Sequence, residues 1–375
     1  MPVGIGLGTR LLAHSLPRLF AASASIAIAV VIMFVELGML SGTLDSQSTI
    51  ATLVRGDLVA MNVARPHLHD WNTIDAIRLT QIAAHPDVDR VAPVYEDHVG
   101  LKSPDDKRVR RIILFAVPPD DIPLELGDRD EVARNLKIPH GFLFDRLSRP
   151  IFGKIVPGQD IEIDNFPLRS TGLVEIGPDI VNDGAIVVSV GDWLARAPAS
   201  KPIMGVIRLK PGIAPAEARR RILAEIPQDV AILTPQEARQ REDSFTLRVA
   251  PIGIIIAVGV LAGLAIGTIN SYQVLFNEVT DRLPQYATLK AMGFSDAFLR
   301  RIILEQAVVL FLLSFLVGIV GAVAADTLIA WQSALPVRIT LGSVPLILFG
   351  TLGMCLIAGL AAIRRVTLAE PAALY

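Results

Sequence analysis

The sequence is short of cysteine, of net charge and of the loops that hold phosphates, and each shortage excludes a class of protein. Its single cysteine, Cys355, lies inside an apolar run, so no intramolecular disulfide can form and any water-facing domain must be held by its own core. Lys and Arg (35) nearly balance Asp and Glu (37), and the resulting −2 points to neither nucleic acid nor an acidic substrate. No loop of the form GxxxxGK followed by Ser or Thr occurs: Gly153 and Lys154 precede Ile155 and lack the upstream glycine. ATP binding and hydrolysis by this chain itself are therefore not expected. His67 and His69 would share one strand face, but no third ligand stands at a recognisable spacing, so no metal site is expected. Nothing resembles a nucleophile elbow. The acidic pairs Asp105, Asp106 and Asp120, Asp121 sit in Pro-containing, turn-like stretches and read as solvated. The expectation is a non-catalytic chain without cofactor.

What is present is apolar. Hydrophobic residues make up 52% and charged ones 19%, an average over a strongly apolar part and an ordinary polar one. The 375 residues leave room for one water-facing domain of about 200 residues beside several spans. Residues 1–18 carry Arg10, His14 and Arg18 at four-residue spacing opposite leucines, the pattern of an amphipathic lead-in helix on a membrane surface. The first span is expected at 19–44, the second at 247–271, the third at 302–326 and the fourth at 341–363, with a short loop at 327–340 and a tail at 364–375. A cleavable signal peptide is the rival for the first span, but its apolar region is too long and no small-x-small site follows. Residues 45–246 contain no further spanning run. Strands are expected at 57–64, 88–99, 108–117, 160–176, 185–190 and 203–209, and helices at 73–84 and 215–226. The fold class is an α-helical polytopic membrane protein with four transmembrane helices and a large α+β domain between the first and second.

Two features within the spans stand out. Glu36 lies about 25 Å along the first span, close to the far surface of a core about 30 Å thick, which favours reaching water or a helix-interface hydrogen bond over a proton relay. Gly259, Gly263 and Gly267 line one stripe of the second span, and Gly38 and Gly42 repeat that spacing on the first. Such a stripe lets another helix approach backbone to backbone.

The stretch that organises the chain is the charged island within 272–301, between the second and third spans. Asp281 is the expected N-cap of a short helix, Pro284 sits in its first turn, and Gly293 supplies the left-handed residue that ends it. Tyr286, Leu289 and Met292 recur every three residues and predict an apolar ridge beside Lys290. Ser295 is placed to cap a second helix through Phe298, Arg300 and Arg301 into the membrane, where Glu305 follows Arg301 by four residues. Periodicity alone leaves two readings open: a capped connector lying on lipid headgroups, or an element built to be pushed by a partner.

These residues resemble the cytoplasmic loop of FtsX/MacB-type ABC transporter permeases. There a polar or acidic residue and Arg precede a short helix ending in Ala, a bulky apolar residue and Gly, with a Glu in the next span; Asp281, Arg282, Ala291, Met292, Gly293 and Glu305 hold those places. The wording DRLPQYATLKAMGF resembles the DevC branch, and it departs from the Arg-Glu-Ile-Gly common in the wider family at Pro284 to Ala287. The tail resembles the family's C-terminal segment at Glu370, Pro371, Ala372, Ala373 and Leu374. The resemblance implies a mechanotransmitting permease that binds a separate ABC ATPase through Asp281, Arg282, Pro284, Tyr286, Leu289, Lys290, Met292, Gly293, Glu305 and Pro371. It also implies a second permease copy in a homodimer, with the seam placed at Gly38, Gly42, Gly259, Gly263 and Gly267. The DevC branch further implies a periplasmic adaptor, an outer-membrane channel and a lipid or glycolipid-like or small-molecule cargo. The alternative is an FtsX-like transmembrane regulator of an extracytoplasmic cell-wall hydrolase.

Orientation follows from the basic residues, independently of the resemblance. With the N terminus inside, Arg10, Arg18, Arg282, Lys290, Arg300, Arg301, Arg364 and Arg365 face the cytoplasm, leaving only Arg338 in the short outer loop. The expected location is a cell inner membrane, multi-pass, with both termini cytoplasmic and the large domain on the far side.

Overall fold

The computed structural model describes residues 16–65, 72–179, 181–248, 251–333 and 339–367. Most of the expected lead-in helix, His67, His69 and Pro371 lie outside them. The chain divides into two compact units, one holding residues 42–251 and 333–336 and the other the remainder.

The second of these units is built from apolar helices. α1 (Leu16–Gln47), α8 (Pro251–Asp281), α10 (Asp296–Ser333) and α11 (Ser343–Thr367) each contain a stretch long and apolar enough to cross a membrane. Side chains that point between them are buried, including Phe34, Leu275, Ile303, Leu310 and Met354. Small residues set the spacing. A Cβ at Gly318 of α10 would lie 2.6 Å from Val30 of α1, and one at Gly350 of α11 would lie 3.2 Å from Leu264 of α8. Cys355 is buried opposite Ser271, 3.7 Å away. Both α8 and α10 outrun the apolar stretches that announce them. At 31 and 38 residues they are about 46 and 57 Å long, against a hydrocarbon core of about 30 Å. Polar residues do not stop a helix; the first breaker after the second span is Pro284, so α8 continues to Asp281.

The α+β unit has two lobes that share one long strand. β1 (Leu58–Asn62), α3 (Ala76–Ala83), the first half of β2 (Val88–Lys102), β8 (Met204–Leu209), α6 (Pro215–Glu225) and β9 (Val230–Leu233) form a split βαβ arrangement with strand order β9-β1-β8-β2, antiparallel throughout. Leu79 and Ile82 of α3 and Ala218 and Ile222 of α6 face Leu58, Ala60, Ile207 and Ile232 of the sheet. Each helix thus buries the side its periodicity predicts. A short α2 (Thr49–Leu53) precedes β1.

The second lobe is inserted between β2 and β8. It comprises β3 (Val109–Val117), α4 (Arg129–Leu136), β4 (Gly141–Asp145), β5 (Asp160–Ile163), β6 (Phe166–Val174), β7 (Ala185–Ser189) and α5 (Val190–Arg196). The order β3-β7-β4-β6-β5-β2, with β2 also paired to β3, closes these strands on themselves. Alternate residues fill the inside of the ring: Val99 and Leu101, Ile112 and Leu114, Phe142 and Phe144, Ile161 and Ile163, Ile186 and Val188. The complementary set, including Ile113, Phe115, Leu143 and Val187, faces outward into a further core together with Ile50, Val132 and Ala238. Ala238 lies on α7 (Pro235–Arg248), the helix that returns the chain to α8.

Several local outcomes differ from the sequence reading. The single strand expected over 160–176 is a hairpin, because Asp164 and Asn165 both take left-handed conformations (φ 49° and 65°) and turn the chain within two residues. Asp121 is not simply solvated: it accepts from Arg129 at 3.1 Å and Arg208 at 2.8 Å. Asp145 is fully buried and accepts from the backbone N–H groups of Leu147, Ile176 and Gly177 at 3.0–3.1 Å, with the Ser148 hydroxyl at 3.3 Å. It holds two loops together at the end of β4.

Candidate functional site

Residues 282–295 join α8 to α10 and contain α9 (Leu283–Ala291). The start of α9 differs from expectation. Asp281 closes α8, Arg282 takes the cap position, and no side chain caps the helix; its first amides bond to the Arg282 carbonyl at 3.0 and 3.1 Å. Pro284 stands within the first turn, where its missing N–H leaves nothing unpaired. Arg282 is held by Glu278, four residues earlier on α8 and largely buried with it. Glu before Arg at this spacing is the favourable orientation. The sequence reading overlooked Glu278; the signal was the i,i+4 pair ending the helix.

The end of α9 has a six-residue cap. Gly293 has φ 94°, its N–H donates to Lys290 O at 3.0 Å, and the Phe294 N–H donates to Leu289 O at 3.1 Å. That bonding pattern is the Schellman motif, which satisfies carbonyls the helix would otherwise leave open. Ser295 then receives the Phe298 and Leu299 amides on its carbonyl at 3.0 and 3.3 Å, with its hydroxyl at 3.4 Å from the Phe298 amide. Phe294 stacks on Phe298 with ring centroids 4.8 Å apart, and Lys290 meets Asp296 at 3.3 Å across the turn. Four independent contacts therefore lock the angle between α9 and α10. What joins them is a stiff elbow.

The faces of α9 are not distributed as the three-residue ridge predicted. Tyr286 is 2% exposed and packs with Leu275, Val279, Leu299 and Ile303, and Leu289 leans on the same cluster. Met292, by contrast, is 63% exposed and Phe294 40%. The ridge is split: its first members anchor the elbow, and its last is offered outward with Gln285, Thr288, Arg300 and Arg301, all exposed. The Tyr286 hydroxyl and the Gln306 side chain are buried beside each other and act on one another without a well-formed hydrogen bond. Burial pushes the phenol up to about 12, with Arg282 acting in the opposite direction. Lys290 is partly covered and committed to Asp296, so it is an internal brace more than a free contact. Glu305 is half-buried near the start of α10.

The glycine stripe is filled from within the same chain. A Cβ at Gly259 would lie 2.5 Å from the Glu36 carboxyl, one at Gly263 2.8 Å from Met33, and one at Gly267 2.4 Å from Met354 and 3.2 Å from Ala29. Gly38 and Gly42 are buried on α1. The close approach that the glycines predict is real within the chain, where α1 and α11 lie against Gly259, Gly263 and Gly267. Glu36 is turned toward Gly259, which accounts for that residue as an interface group. No group of three or more His, Cys, Asp or Glu placed to hold a metal exists among the described residues.

Residues 254–371 match the family described as FtsX-like permease C-terminal. No curated protein matches the chain by sequence. Among solved structures, the periplasmic region of MacB from Actinobacillus actinomycetemcomitans is similar at 10% identity and a TM-score of 0.37, over 50% of this chain and 92% of that one. The extracellular domain of the ABC-type transporter YknZ from Gram-positive bacteria is similar at 11% identity and a TM-score of 0.33, over 48% of this chain and 98% of that one.

Proposed function

We propose, from the match of residues 254–371 to the FtsX-like permease C-terminal family, that this chain is the membrane subunit of an ABC exporter that passes force from a separate ATPase to its α+β domain. The observation that supports this most is the elbow. An α-helix gripped by a moving partner transmits displacement only if its ends do not yield, and α9 is braced at Arg282 on one side and at Gly293, Ser295 and Asp296 on the other. The ATPase contact falls on Gln285, Thr288, Met292 and Phe294, with Arg300 and Arg301 beside them. Tyr286, Leu289 and Lys290 act behind that face by holding it in place, and Pro371 in the tail completes the contact.

In this reading the chain sits in an inner membrane with both termini and the elbow cytoplasmic, as the arrangement of Arg and Lys favours. Two copies pair through α8, whose Ile254, Val258, Leu261 and Ile269 are exposed at helical spacing. A periplasmic adaptor and an outer-membrane channel, with a lipid, glycolipid-like or small-molecule cargo, complete a DevC-type system. The test is co-purification with the ATPase and measurement of its turnover in the membrane. Met292→Glu abolishes stimulation while insertion is retained; unchanged stimulation would remove the assigned contact. Deletion that blocks cell separation while export stays normal would instead favour the FtsX-like regulator.

A further inference from the structure

The basic residues between α8 and the body of α10 divide by what holds them. Arg282 is fixed by Glu278 and Lys290 by Asp296. Arg300 and Arg301, within the first two turns of α10, are exposed and have no ion-pair or hydrogen-bond partner among the described residues. Glu305, one turn beyond Arg301, is half-buried and has Oε2 shut away from solvent. The face of α10 that leads away from Arg301 is apolar and uncovered. Val308 and Leu312 lie on the same line of the helix, about two and three turns on, and Leu316, Val320 and Val323 continue the exposed strip. It ends at Trp331, which is 81% exposed. Residues 301 to 331 span about 45 Å of helix, which matches a bilayer of about 40–45 Å with its headgroups included. A cation at one end and an interfacial tryptophan at the other bracket a strip whose covering is lipid.

We propose that Arg300 and Arg301 bind the phosphate of one anionic phospholipid, such as phosphatidylglycerol, in the leaflet on the elbow's side, with an acyl chain lying along Val308 and Leu312. A guanidinium fork matches a phosphate bidentately. The pair brings two positive charges that no carboxylate holds among the described residues, which favours a lipid of net negative charge over a zwitterion. From Arg301 to Val308 is about 10 Å along the helix, the reach from a phosphate to the upper acyl chain. Side chains lean toward the N-terminus of their helix, so both guanidinium groups are drawn toward the headgroup layer. The lipid therefore pins the end of α10 that adjoins the elbow's cap at Ser295, and gives the helix a fixed point at the membrane surface. The inference rests on the chain crossing a bilayer and needs neither an ATPase nor a second copy.

Native mass spectrometry of the full-length protein, delipidated and then titrated separately with phosphatidylglycerol and phosphatidylethanolamine, tests it. One phosphatidylglycerol per chain is expected, preferred about 25-fold, with about fivefold from each guanidinium. Arg300→Gln and Arg301→Gln should each remove one such factor, and the double variant should bind the two lipids equally. Both positions are exposed, so the substitutions leave the fold intact. Lys290→Gln removes a cation already paired with Asp296 and should leave the preference unchanged. Equal binding of the two lipids to the unaltered protein overturns the proposal. So does a loss with Lys290→Gln as large as with Arg301→Gln, which would mark diffuse attraction in place of a site. Binding of soluble glycerol phosphate as tightly as the intact lipid also overturns it, because the apolar strip would then contribute nothing. Lipid preference retained by the double variant while the ATPase no longer co-purifies would assign the two arginines to the protein contact, and overturns it as well.

Discussion

Tyr286 separates an anchoring role for the elbow helix from a contacting one, because its ring and its hydroxyl make different predictions. The ring is buried among Leu275, Val279, Leu299 and Ile303, so Tyr286→Ala removes a packed aromatic side chain and should cost about 3–5 kcal/mol locally, as such deletions do in cores. The hydroxyl is buried beside the Gln306 side chain, with which it makes at most a poorly formed hydrogen bond. Such a group contributes little net stability, so Tyr286→Phe should change it by less than about 1 kcal/mol. The pH dependence agrees in sign. Burial raises the phenol from 10.0 to about 12, so between those values the unfolded chain is ionised and the folded one is not. Folded stability from this group is intact below pH 10 and declines as pH rises through the interval. Tyr286→Phe should abolish that decline. The assay is amide hydrogen exchange over residues 283–294 alongside stimulated ATPase turnover. Tyr286→Ala should lose protection and stimulation together, and Tyr286→Phe should keep both. Loss of stimulation in Tyr286→Phe with protection unchanged would mean that the hydroxyl meets the partner directly, and the anchoring role would be wrong.

Other expectations follow from the same geometry. Gly293→Ala meets no neighbouring atom but must hold φ 94°, a strain of about 1–2 kcal/mol; faster exchange of the Gly293 and Phe294 amides, with weaker stimulation, would show it. Gly267→Leu collides with Met354 and Ala29 and should lower the melting temperature of the isolated chain in detergent, whereas an effect confined to chain–chain cross-linking would assign the stripe to a seam between copies. Asp145→Asn keeps one oxygen for the Leu147 and Ile176 N–H groups but puts an NH2 where the Gly177 N–H donates, and should cost about 1–3 kcal/mol in thermal unfolding of the α+β unit. Burial raises the Asp145 carboxyl above 3.8. Its contribution is therefore complete at lower pH and falls as pH climbs from 3.8 toward the folded value. The asparagine variant should lack that slope.

The spans and the elbow's punctuation were legible because they rest on local chemistry. Long uncharged runs can be little else, and Gly293 must end a helix before Ser295 can begin one, as their backbone bonds show. What escaped was information about which neighbour a side receives. Three-residue spacing places Tyr286 and Met292 on one ridge, but it cannot say that the fold of α8 over α10 covers the first and leaves the second open. A stripe of glycines announces a close helix without saying that the helix is α1 of the same chain. In the α+β unit, the β5–β6 turn was hidden because Asp164 and Asn165 do the work usually left to glycine. β4 and β9 are five and four residues long, too short for alternation to register. Asp145 gave no signal of its bridging role, since the loop it ties down, at Ile176 and Gly177, lies 31 and 32 residues away in sequence.

α10 is a single uninterrupted helix of 38 residues, about 57 Å from end to end. A beam of that length exceeds the apolar layer by nearly as much again, so leverage is built into its proportions. A tilt of about 5° applied at the Asp296 end would sweep the Ser333 end through about 5 Å. Subtle gestures on one side of the bilayer would thus arrive on the other as movements large enough to rearrange whatever rests there.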